Sequence, residues 1–287
     1  MITELKTITL LGAGGKMGMR ISANLQKSAY QIFYCENSPH AQQQVLAVGR
    51  ELSQADSVIP LSDVVILAVP DIALKSVSAQ VVPLMKPAAV LLTLDPAAAY
   101  AGLIARRPDI DYAVAHPCHP SVFLARFTAE QQADMFGGVA APQHVVAAWE
   151  TGSDAQRGQL AQVIGVMYGP VEAVHWVTVK QLAYLEPTLV ETVACMVGTL
   201  MKEALDETIH GVGVPEAAAK AMLYGHIQIA LAVAFRSSNP FSDACMIAIE
   251  YGKEKIIRPD WKTIFDEKEL DLVLARMLKI DAIERVD

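Results

Sequence analysis

The glycine-rich segment at residues 12–18 constrains the fold of this 287-residue chain more than any other feature. It directly follows the apolar run Ile8-Thr9-Leu10-Leu11, which predicts a strand, and a helix-like sequence begins within it. Glycine lets the backbone turn sharply and approach phosphate groups, and a helix N-terminus offers free N–H groups and a positive dipole end. The order strand, glycine turn and helix therefore predicts a site for the pyrophosphate of a dinucleotide.

The spacing of these glycines departs from the most common dinucleotide fingerprint, G-x-G-x-x-G. Gly12 and Gly14 fit that pattern, but the third glycine, Gly18, comes one residue late. We therefore interpret the segment as the variant G-x-x-G-x-x-G through Gly12, Gly15 and Gly18. The alternative is a tight strand-to-helix turn that binds no ligand.

An acidic residue after the next predicted strand gives a second signal. Residues 31–35 predict that strand, and Glu36 stands at its end, 24 residues after Gly12. This offset is near the roughly 20 residues expected for the group that binds the adenosine ribose hydroxyls. Because a carboxylate there would repel a 2′-phosphate, we predict NAD rather than NADP. A solvated strand end is the alternative for Glu36.

The first half of the chain alternates strand-like and helix-like segments. Predicted strands cover residues 7–11, 31–34, 64–68, 89–94 and 112–116, predicted helices cover 17–26, 40–48, 72–84 and 98–104, and residues 144–148 and 172–175 are candidates for further strands. Such alternation predicts an α/β fold with a parallel, doubly wound sheet of the Rossmann type.

Ligands of doubly wound sheets bind beyond the carboxyl ends of the strands. Val69, Pro70 and Asp71 follow the predicted strand at residues 64–68, so we expect them to border the cofactor. We also expect Asp71 to cap the next helix. The predicted cofactor-binding residues are thus Gly12, Ala13, Gly14, Gly15, Lys16, Met17, Gly18, Glu36, Val69, Pro70 and Asp71.

The second half changes to a helical, strongly apolar pattern from about residue 177. Residues 180–206 predict one long helical segment in which Pro187 marks a kink or a helix start. Pro215 fits the first turn of another helix. We predict a Rossmann domain over residues 1–176 and an all-α domain over residues 177–287. By analogy, such helical domains close a substrate cleft and form a dimer.

Composition narrows the classes of function. The formal net charge is −8 and no basic stripe is visible, which argues against a nucleic-acid partner. Hydrophobic residues make up 53%, yet no uncharged apolar run reaches the roughly 18 residues that span a bilayer, so we expect no membrane partner. We expect no signal peptide, and the four cysteines lack C-x-x-C spacing. A reduced, cytoplasmic protein is the prediction.

A second group of chemically active residues is the sequence His-Pro-Cys-His-Pro at residues 116–120, just after a predicted strand. Its prolines favour a stiff, extended turn. Imidazoles there suit a base, an acid or a metal ligand, and the alternative is that His116 and His119 only satisfy backbone groups. Glu186 is an acid in a mostly apolar stretch, where a buried carboxylate needs a cation or a hydrogen-bond partner.

One histidine with one or two carboxylates and open positions would suit a divalent metal ion that also binds substrate. The alternative for Glu186 is a helix cap or an ion pair with Lys180 or Lys202. Lys180 and Tyr184 lie four residues apart on one helical face and are alternative proton-transfer groups.

The chain resembles NAD-dependent sugar-acid dehydrogenases that join a Rossmann domain to a helical domain like that of 6-phosphogluconate dehydrogenase. The resemblance covers nearly the whole chain and is carried by residues 11–18, 116–120 and 180–187. One departure is clear: 6-phosphogluconate and β-hydroxyacid dehydrogenases carry Lys-x-x-x-Asn, whereas Tyr184 stands four residues after Lys180 here. A glycine-rich substrate loop after the fifth strand is also missing from the sequence. Decarboxylation by the usual Lys/Asn pair is therefore not expected.

This resemblance implies an oxidoisomerase that oxidises the 2-hydroxyl of a branched sugar acid by hydride transfer to NAD and couples this to an acyloin migration. It implies His116 and Glu186 as ligands of a divalent metal ion, with the catalytic groups His119 or Lys180 managing protons. A small-molecule sugar acid and a second copy of the chain are the expected partners. The alternatives are a plain NAD-dependent hydroxy-acid or phosphogluconate-type dehydrogenase without rearrangement or metal, and a catalytically silent NAD-binding regulator.

Overall fold

The computed structural model describes residues 4–236 and 240–284. Seven strands form one sheet in the order β2-β1-β3-β4-β5-β6-β7. Their bounds are β1 Thr7–Leu11, β2 Gln31–Cys35, β3 Val64–Leu67, β4 Val90–Thr93, β5 Asp111–Pro117, β6 Gln143–Trp149 and β7 Val171–Val177. The five strands predicted in the first half and both further candidates are therefore present, and the α/β fold is confirmed.

The central strands owe their position to continuous apolar sequence. All four residues of β3 and all four of β4 are buried. Strands of a parallel sheet that are covered by helices on both faces require such runs. The edge strand β2 is more exposed at its start.

The sheet differs from the predicted parallel arrangement at its last two strands, β6 and β7, which run opposite to β1–β5. β1 to β5 are mutually parallel, but β6 pairs with β5 antiparallel and with β7 parallel. The connection from β5 to β6 contains only the five-residue helix α6, Ala129–Ala133. A parallel neighbour normally needs a crossover helix, and here the chain returns beside β5 in the opposite direction. Alternating segment types alone do not fix strand direction.

Short helices connect the strands and cover the sheet. Besides α6, they are α1 Lys16–Leu25, α2 Pro39–Ala47, α3 Ala55–Val58, α4 Asp71–Val81, α5 Ala97–Tyr100 and α7 Asp154–Met167, with 3-10 turns at Ile59–Leu61 and Val82–Leu84. The helix predicted over residues 98–104 is shorter than expected. Gly102 adopts a φ of +68°, a left-handed conformation that ends a right-handed helix.

A long helical stretch opens the second half, as predicted. α8 (Val179–Ala183) runs into a π-helix (Tyr184–Cys195) and then into α9 (Met196–His210). Pro187 lies inside the π-helix. Proline has no N–H to donate and its ring clashes with an α-helical carbonyl, so the wider helix accommodates it within a continuous helical segment.

The remaining helices are α10 Glu216–Arg236, α11 Asp243–Ile256 and α12 Glu267–Leu278, with a 3-10 turn at Trp261–Phe265. Two compact units are present: the first runs to Leu185 and takes up the chain again from Asp271, and the second is Glu186–Leu270. The hydroxyl of Tyr100 donates to Asp271 Oδ1 at 3.0 Å within the first unit. The first unit thus extends past residue 176, where we placed the domain boundary.

One helix of the second unit, α10, is long and apolar enough to cross a membrane, judged by length and composition alone. Its mean hydropathy is 1.3, and 6% of the corresponding 18-residue window is buried. A single helix of this kind is weak evidence for a membrane span.

Candidate functional site

The glycine turn is fixed by backbone contacts at the carboxyl end of β1. The N–H groups of Gly12 and Ala13 donate to the carbonyl of Cys35 at 3.0 and 3.2 Å. Gly15 is the N-cap of α1, and within this fully described helix no side chain caps the N-terminus and no acidic residue occupies the first turn. This helix N-terminus therefore has no side-chain cap and no acidic partner of its own, which suits an anionic group.

Three glycines in this segment are demanded by close packing. Gly12 has a φ of +77°, and a Cβ on Gly14 would lie 2.3 Å from the carbonyl oxygen of Ala41. A Cβ on Gly18 would lie 2.0 Å from the carbonyl oxygen of Gly12, whereas the nearest atom to a Cβ on Gly15 is 3.3 Å away. The interpretation G-x-x-G-x-x-G thus omits Gly14, whose requirement comes from α2 and is invisible in the local sequence.

Glu36 is oriented by three backbone donors. Its Oε2 accepts from the N–H of Gly14 at 3.0 Å, and its Oε1 accepts from the N–H groups of Asn37 and Ser38 at 2.9 Å each. These bonds tie the end of β2 to the glycine turn. Glu36 is therefore a fixed carboxylate and more than a solvated strand end.

A cavity of 330 Å³ opens next to this carboxylate. It lies at the carboxyl ends of β1, β2 and β3, where the strand order reverses, which is the usual ligand position in an open α/β sheet. Its walls include the predicted residues Gly12, Glu36 and Val69, and also Gln54, Asp56 and Gln80. The last three were missed, because residue type alone does not distinguish them from any polar helix face.

The residues after β3 take positions slightly different from those expected. Pro70 occupies the N-cap of α4 and Asp71 is the first helical residue, so the prediction that Asp71 caps this helix was wrong. Asp71 instead places a negative charge in the first turn, where it favours the positive end of the helix dipole.

The side chains of Lys16 and Met17, two residues of the glycine turn, lie in different environments. The Lys16 ammonium lies 4.8 Å from the ring centre of Phe136, and the Arg20 guanidinium lies 4.7 Å from the same ring. Met17 is partly buried against the hydrophobic core. Lys16 is thus held near the N-terminus of α1 by a cation–π contact.

A second cluster contains Asp95, His116 and Glu186, each with a ligand atom within 4.8 Å of those of the others. His116 lies in β5, and its Nδ1 is 3.0 Å from the carbonyl oxygen of Leu94. Asp95 follows β4 and its Oδ1 accepts from the N–H of Ala97 at 2.8 Å. Glu186 is buried within the π-helix. The structure therefore brings together both predicted metal ligands and adds a second carboxylate.

This donor set fits a divalent metal ion. Burial lowers the pKa of His116, and the opposing effect of the Asp95 carboxylate does not restore it. A neutral ring that donates its Nδ1–H to Leu94 keeps an Nε2 lone pair, the usual arrangement of a histidine ligand. Oxygen ligands lie about 2.0–2.6 Å from a divalent ion, so one ion can span donors separated by 4.8 Å.

Asp95 was not predicted, although the sequence offered a signal for it. It stands directly after the predicted strand 89–94 and before a proline. This position matches that of Glu36 after its own strand. Because β4 and β5 are adjacent and parallel, Asp95 after the carboxyl end of β4 lies beside His116 near the carboxyl end of β5.

His119 and Lys180 lie outside this three-residue cluster. His119 has a φ of +59°, rare for a residue other than glycine, and its Nδ1 is 2.8 Å from the carbonyl oxygen of Phe136. Lys180 has an exposed side chain in α8, and Tyr184 opens the π-helix that contains Glu186. The catalytic roles of His119 and Lys180 stay predictions.

Comparison with known proteins adds the evolutionary context. Residues 125–278 match the family described as phosphogluconate dehydrogenase (decarboxylating) C-term. The chain is 83% identical to a D-apionate oxidoisomerase from Pectobacterium atrosepticum, over 99% of this chain and 100% of that protein. It is 41% identical to a D-apionate oxidoisomerase from Cupriavidus necator, over 92% of this chain and 96% of that protein.

A solved structure extends this likeness to three dimensions. It is a semialdehyde dehydrogenase NAD-binding protein from Cupriavidus necator in complex with calcium and NAD. The TM-score is 0.92 at 40% identity, and the match covers 96% of this chain and 100% of that one. The Rossmann-like fold with a helical C-terminal part is thus shared across the full length.

Proposed function

Because the chain belongs to the D-apionate oxidoisomerase family, we propose that it is an NAD-dependent oxidoreductase that converts D-apionate to 3-oxo-isoapionate. The observation that carries this proposal is the cluster of Asp95, His116 and Glu186 on a sheet whose first strand ends in the glycine turn. Two carboxylates and a neutral imidazole suit a reaction that needs more than hydride transfer.

The proposed chemistry gives a divalent metal ion a defined role. Oxidation of the 2-hydroxyl produces a ketone beside a tertiary hydroxyl, and carbon migration needs the ketone polarised and that hydroxyl deprotonated. A bound divalent ion supplies Lewis-acid chemistry of this kind. Asp95, His116 and Glu186 would hold the ion, and Leu94 would keep the His116 ring in the ligating tautomer.

The cofactor site follows from the backbone. The glycine turn and the N-terminus of α1 would bind the pyrophosphate of NAD, and the 330 Å³ cavity would receive the adenosine. Glu36 would accept hydrogen bonds from the ribose hydroxyls and disfavour a 2′-phosphate by charge repulsion. NAD supplies the hydride acceptor.

Two side chains, His119 and Lys180, are the candidates for the proton-transfer group. Oxidation of an alcohol releases one proton for each hydride removed. His119 follows β5, three residues after His116, and Lys180 precedes Glu186 on a continuous helical segment. Both residues are therefore near proposed metal ligands in the chain, and we assign proton transfer to one of them.

We further propose a cytoplasmic homodimer. Four large apolar side chains of α10 are 59–73% exposed: Met222, Tyr224, Ile229 and Phe235. Met222 and Ile229 lie on one side of the helix and Tyr224 and Phe235 on the opposite side, so both sides of α10 expose apolar side chains. Exposed apolar surface of this kind marks an interaction site, and a second copy of the chain is the proposed cover. Light scattering during size-exclusion chromatography should give twice the chain mass of 31.0 kDa.

The decisive experiment follows the carbon skeleton. The purified protein is incubated with D-apionate and NAD, NADH is measured by absorbance, and the product is identified by NMR. We expect NADH and a rearranged skeleton, both lost with a chelator and restored by a divalent ion. NADH with an unrearranged product would support the plain dehydrogenase instead, and full activity after thorough chelation would rule out the metal.

A further inference from the structure

Three polar side chains at the β6–β7 end of the sheet have no role in the proposed reaction. His175 Nε2 lies 3.1 Å from His144 Nδ1, and His144 Nε2 lies 3.0 Å from Glu172 Oε2. The side chains of His144 and Glu172 are 45% and 49% exposed. The group is therefore accessible to solutes.

The separation of the two ring nitrogens matches a chelating pair. Zinc–nitrogen bonds are about 2.0–2.1 Å long, so two imidazole nitrogens on one ion lie about 3.0–3.4 Å apart. The distance of 3.1 Å between His144 Nδ1 and His175 Nε2 falls in this range. An ion can therefore replace the hydrogen bond between the rings at the same separation of the two nitrogens, with each ring tilting to direct its lone pair at the ion.

Glu172 prepares His144 for this role. Its carboxylate lies 3.0 Å from His144 Nε2 and favours the tautomer that carries its proton there, which leaves Nδ1, the atom that faces His175, as the free lone pair. Metal-bound histidines usually donate their second N–H to a carboxylate or a backbone carbonyl in this way. In His175, moving the ring proton to Nδ1 frees Nε2, and the ring remains neutral.

The backbone supplies an independent observation. Gln143 pairs with Val171 and His144 pairs with Ala173, so Glu172 is the extra residue of a bulge in β7. Bulges redirect side chains and are common beside functional sites. This bulge lies at the residue whose carboxylate reaches His144.

We propose that His144 and His175 form a binding site for a divalent transition-metal ion, with Glu172 as the outer carboxylate and water as the remaining ligands. Imidazole nitrogens select Zn²⁺, Ni²⁺ or Cu²⁺ over Ca²⁺ and Mg²⁺, which prefer oxygen. Binding would link the edge strand β7 to β6. This site is separate from the proposed catalytic cluster and does not depend on the proposed function.

The test counts zinc ions on the full chain by equilibrium dialysis after chelator treatment. Compared with the unmodified protein, His175→Gln should bind one Zn²⁺ fewer while its activity with D-apionate is unchanged. Glu172→Gln should keep the site but weaken it about 10- to 100-fold, the usual cost of losing an outer partner of a metal ligand. Circular dichroism of the metal-free variants verifies that both remain folded.

Cys118→Ser is the matched control. Cys118 is exposed, and its N–H donates to the carbonyl oxygen of His144 at 2.9 Å, so it carries a potential metal-binding thiol next to His144 in the sheet. The control should retain the full number of Zn²⁺ ions. An unchanged count in His175→Gln, an unchanged affinity in Glu172→Gln, or the loss of an ion in Cys118→Ser would each overturn the proposal.

Discussion

The glycine turn and the three-residue cluster at Asp95, His116 and Glu186 are built in opposite ways. The turn is seven consecutive residues whose function depends on backbone N–H groups and on the absence of Cβ atoms. The cluster consists of side chains from three distant parts of the chain that meet within 4.8 Å. A local segment can therefore reveal the first site, whereas the second exists only once the strands have been placed in order.

This contrast predicts different responses to substitution. The cluster should tolerate substitutions of neighbouring residues, but the enzyme should lose catalytic activity when one of the three metal-ligand side chains is removed. The turn should respond to added volume, because its neighbours are backbone atoms that cannot move aside.

The largest effect is expected for His116→Ala. Removing this donor should lower kcat/KM for D-apionate about a thousandfold or more, since Lewis-acid stabilisation is worth several kcal/mol. Binding of NAD, measured by fluorescence titration, should change little because the glycine turn is intact. His226→Ala is the control: that residue is exposed on α10, and its Nδ1 lies 2.8 Å from the carbonyl oxygen of Met222. Near-normal turnover in His116→Ala would separate the cluster from the reaction.

The second prediction compares two glycines in one turn. Gly18→Ala places a Cβ 2.0 Å from the carbonyl of Gly12, so we expect a loss of about 1–3 kcal/mol in the free energy of unfolding and weaker NAD binding. In Gly15→Ala the nearest atom to the new Cβ is 3.3 Å away, so its melting temperature should fall much less. Equal melting temperatures for the two variants would contradict the packing argument. A selective loss of NAD binding in Gly15→Ala would assign that glycine to the cofactor.

Much of the turn could be predicted from sequence because its signal is local. The strand bounds, the glycine positions and the placement of Glu36 all follow from neighbouring residues. The tight contact of Gly14 with Ala41 could not be predicted, since it depends on how α2 packs. The cluster was only partly predicted: His116 and Glu186 stood out as polar residues beside apolar sequence, whereas Asp95 becomes evident only when β4 is known to lie beside β5.

A smaller effect is expected for Glu36→Ala. Loss of the carboxylate removes its bonds to the Gly14 and Asn37 N–H groups and the proposed bonds to the ribose, so NAD should bind about 10-fold more weakly. Binding of NADP should improve relative to NAD, because the charge that repels the 2′-phosphate is gone. Glu36→Gln, which keeps the oxygen acceptor, separates charge from hydrogen bonding. An unchanged NAD/NADP ratio of kcat/KM in Glu36→Ala would refute the cofactor argument.

The smallest effect on activity is expected at the opposite end of the same sheet. Buried Asp63 accepts from the N–H groups of Lys6 and Thr7 at 2.8 and 2.9 Å and pairs with Lys86 at 2.6 Å. Burial alone would raise the pKa of Asp63, but these partners together lower it below its usual range. Asp63→Asn should therefore cost about 1–3 kcal/mol of unfolding free energy and leave kcat unchanged.

The sign of the pH dependence follows from that lowered pKa. The stabilisation by Asp63 is fully present above the unfolded pKa of about 3.9 and is lost as the pH falls through the lower folded value. Urea unfolding at pH 7 and below pH 4 measures it. The difference between Asp63→Asn and the unmodified protein should shrink at the acidic pH, and a constant difference would refute the assignment.

The return of the chain to the first unit at Asp271 has a consequence for biosynthesis. The sheet and its glycine turn are translated before the second unit, but the partner of Tyr100 is translated after it. A nascent chain therefore cannot complete the first unit until the whole second unit has been synthesised. Premature termination anywhere before α12 would yield a product that lacks this closing segment and exposes a target for cellular proteases.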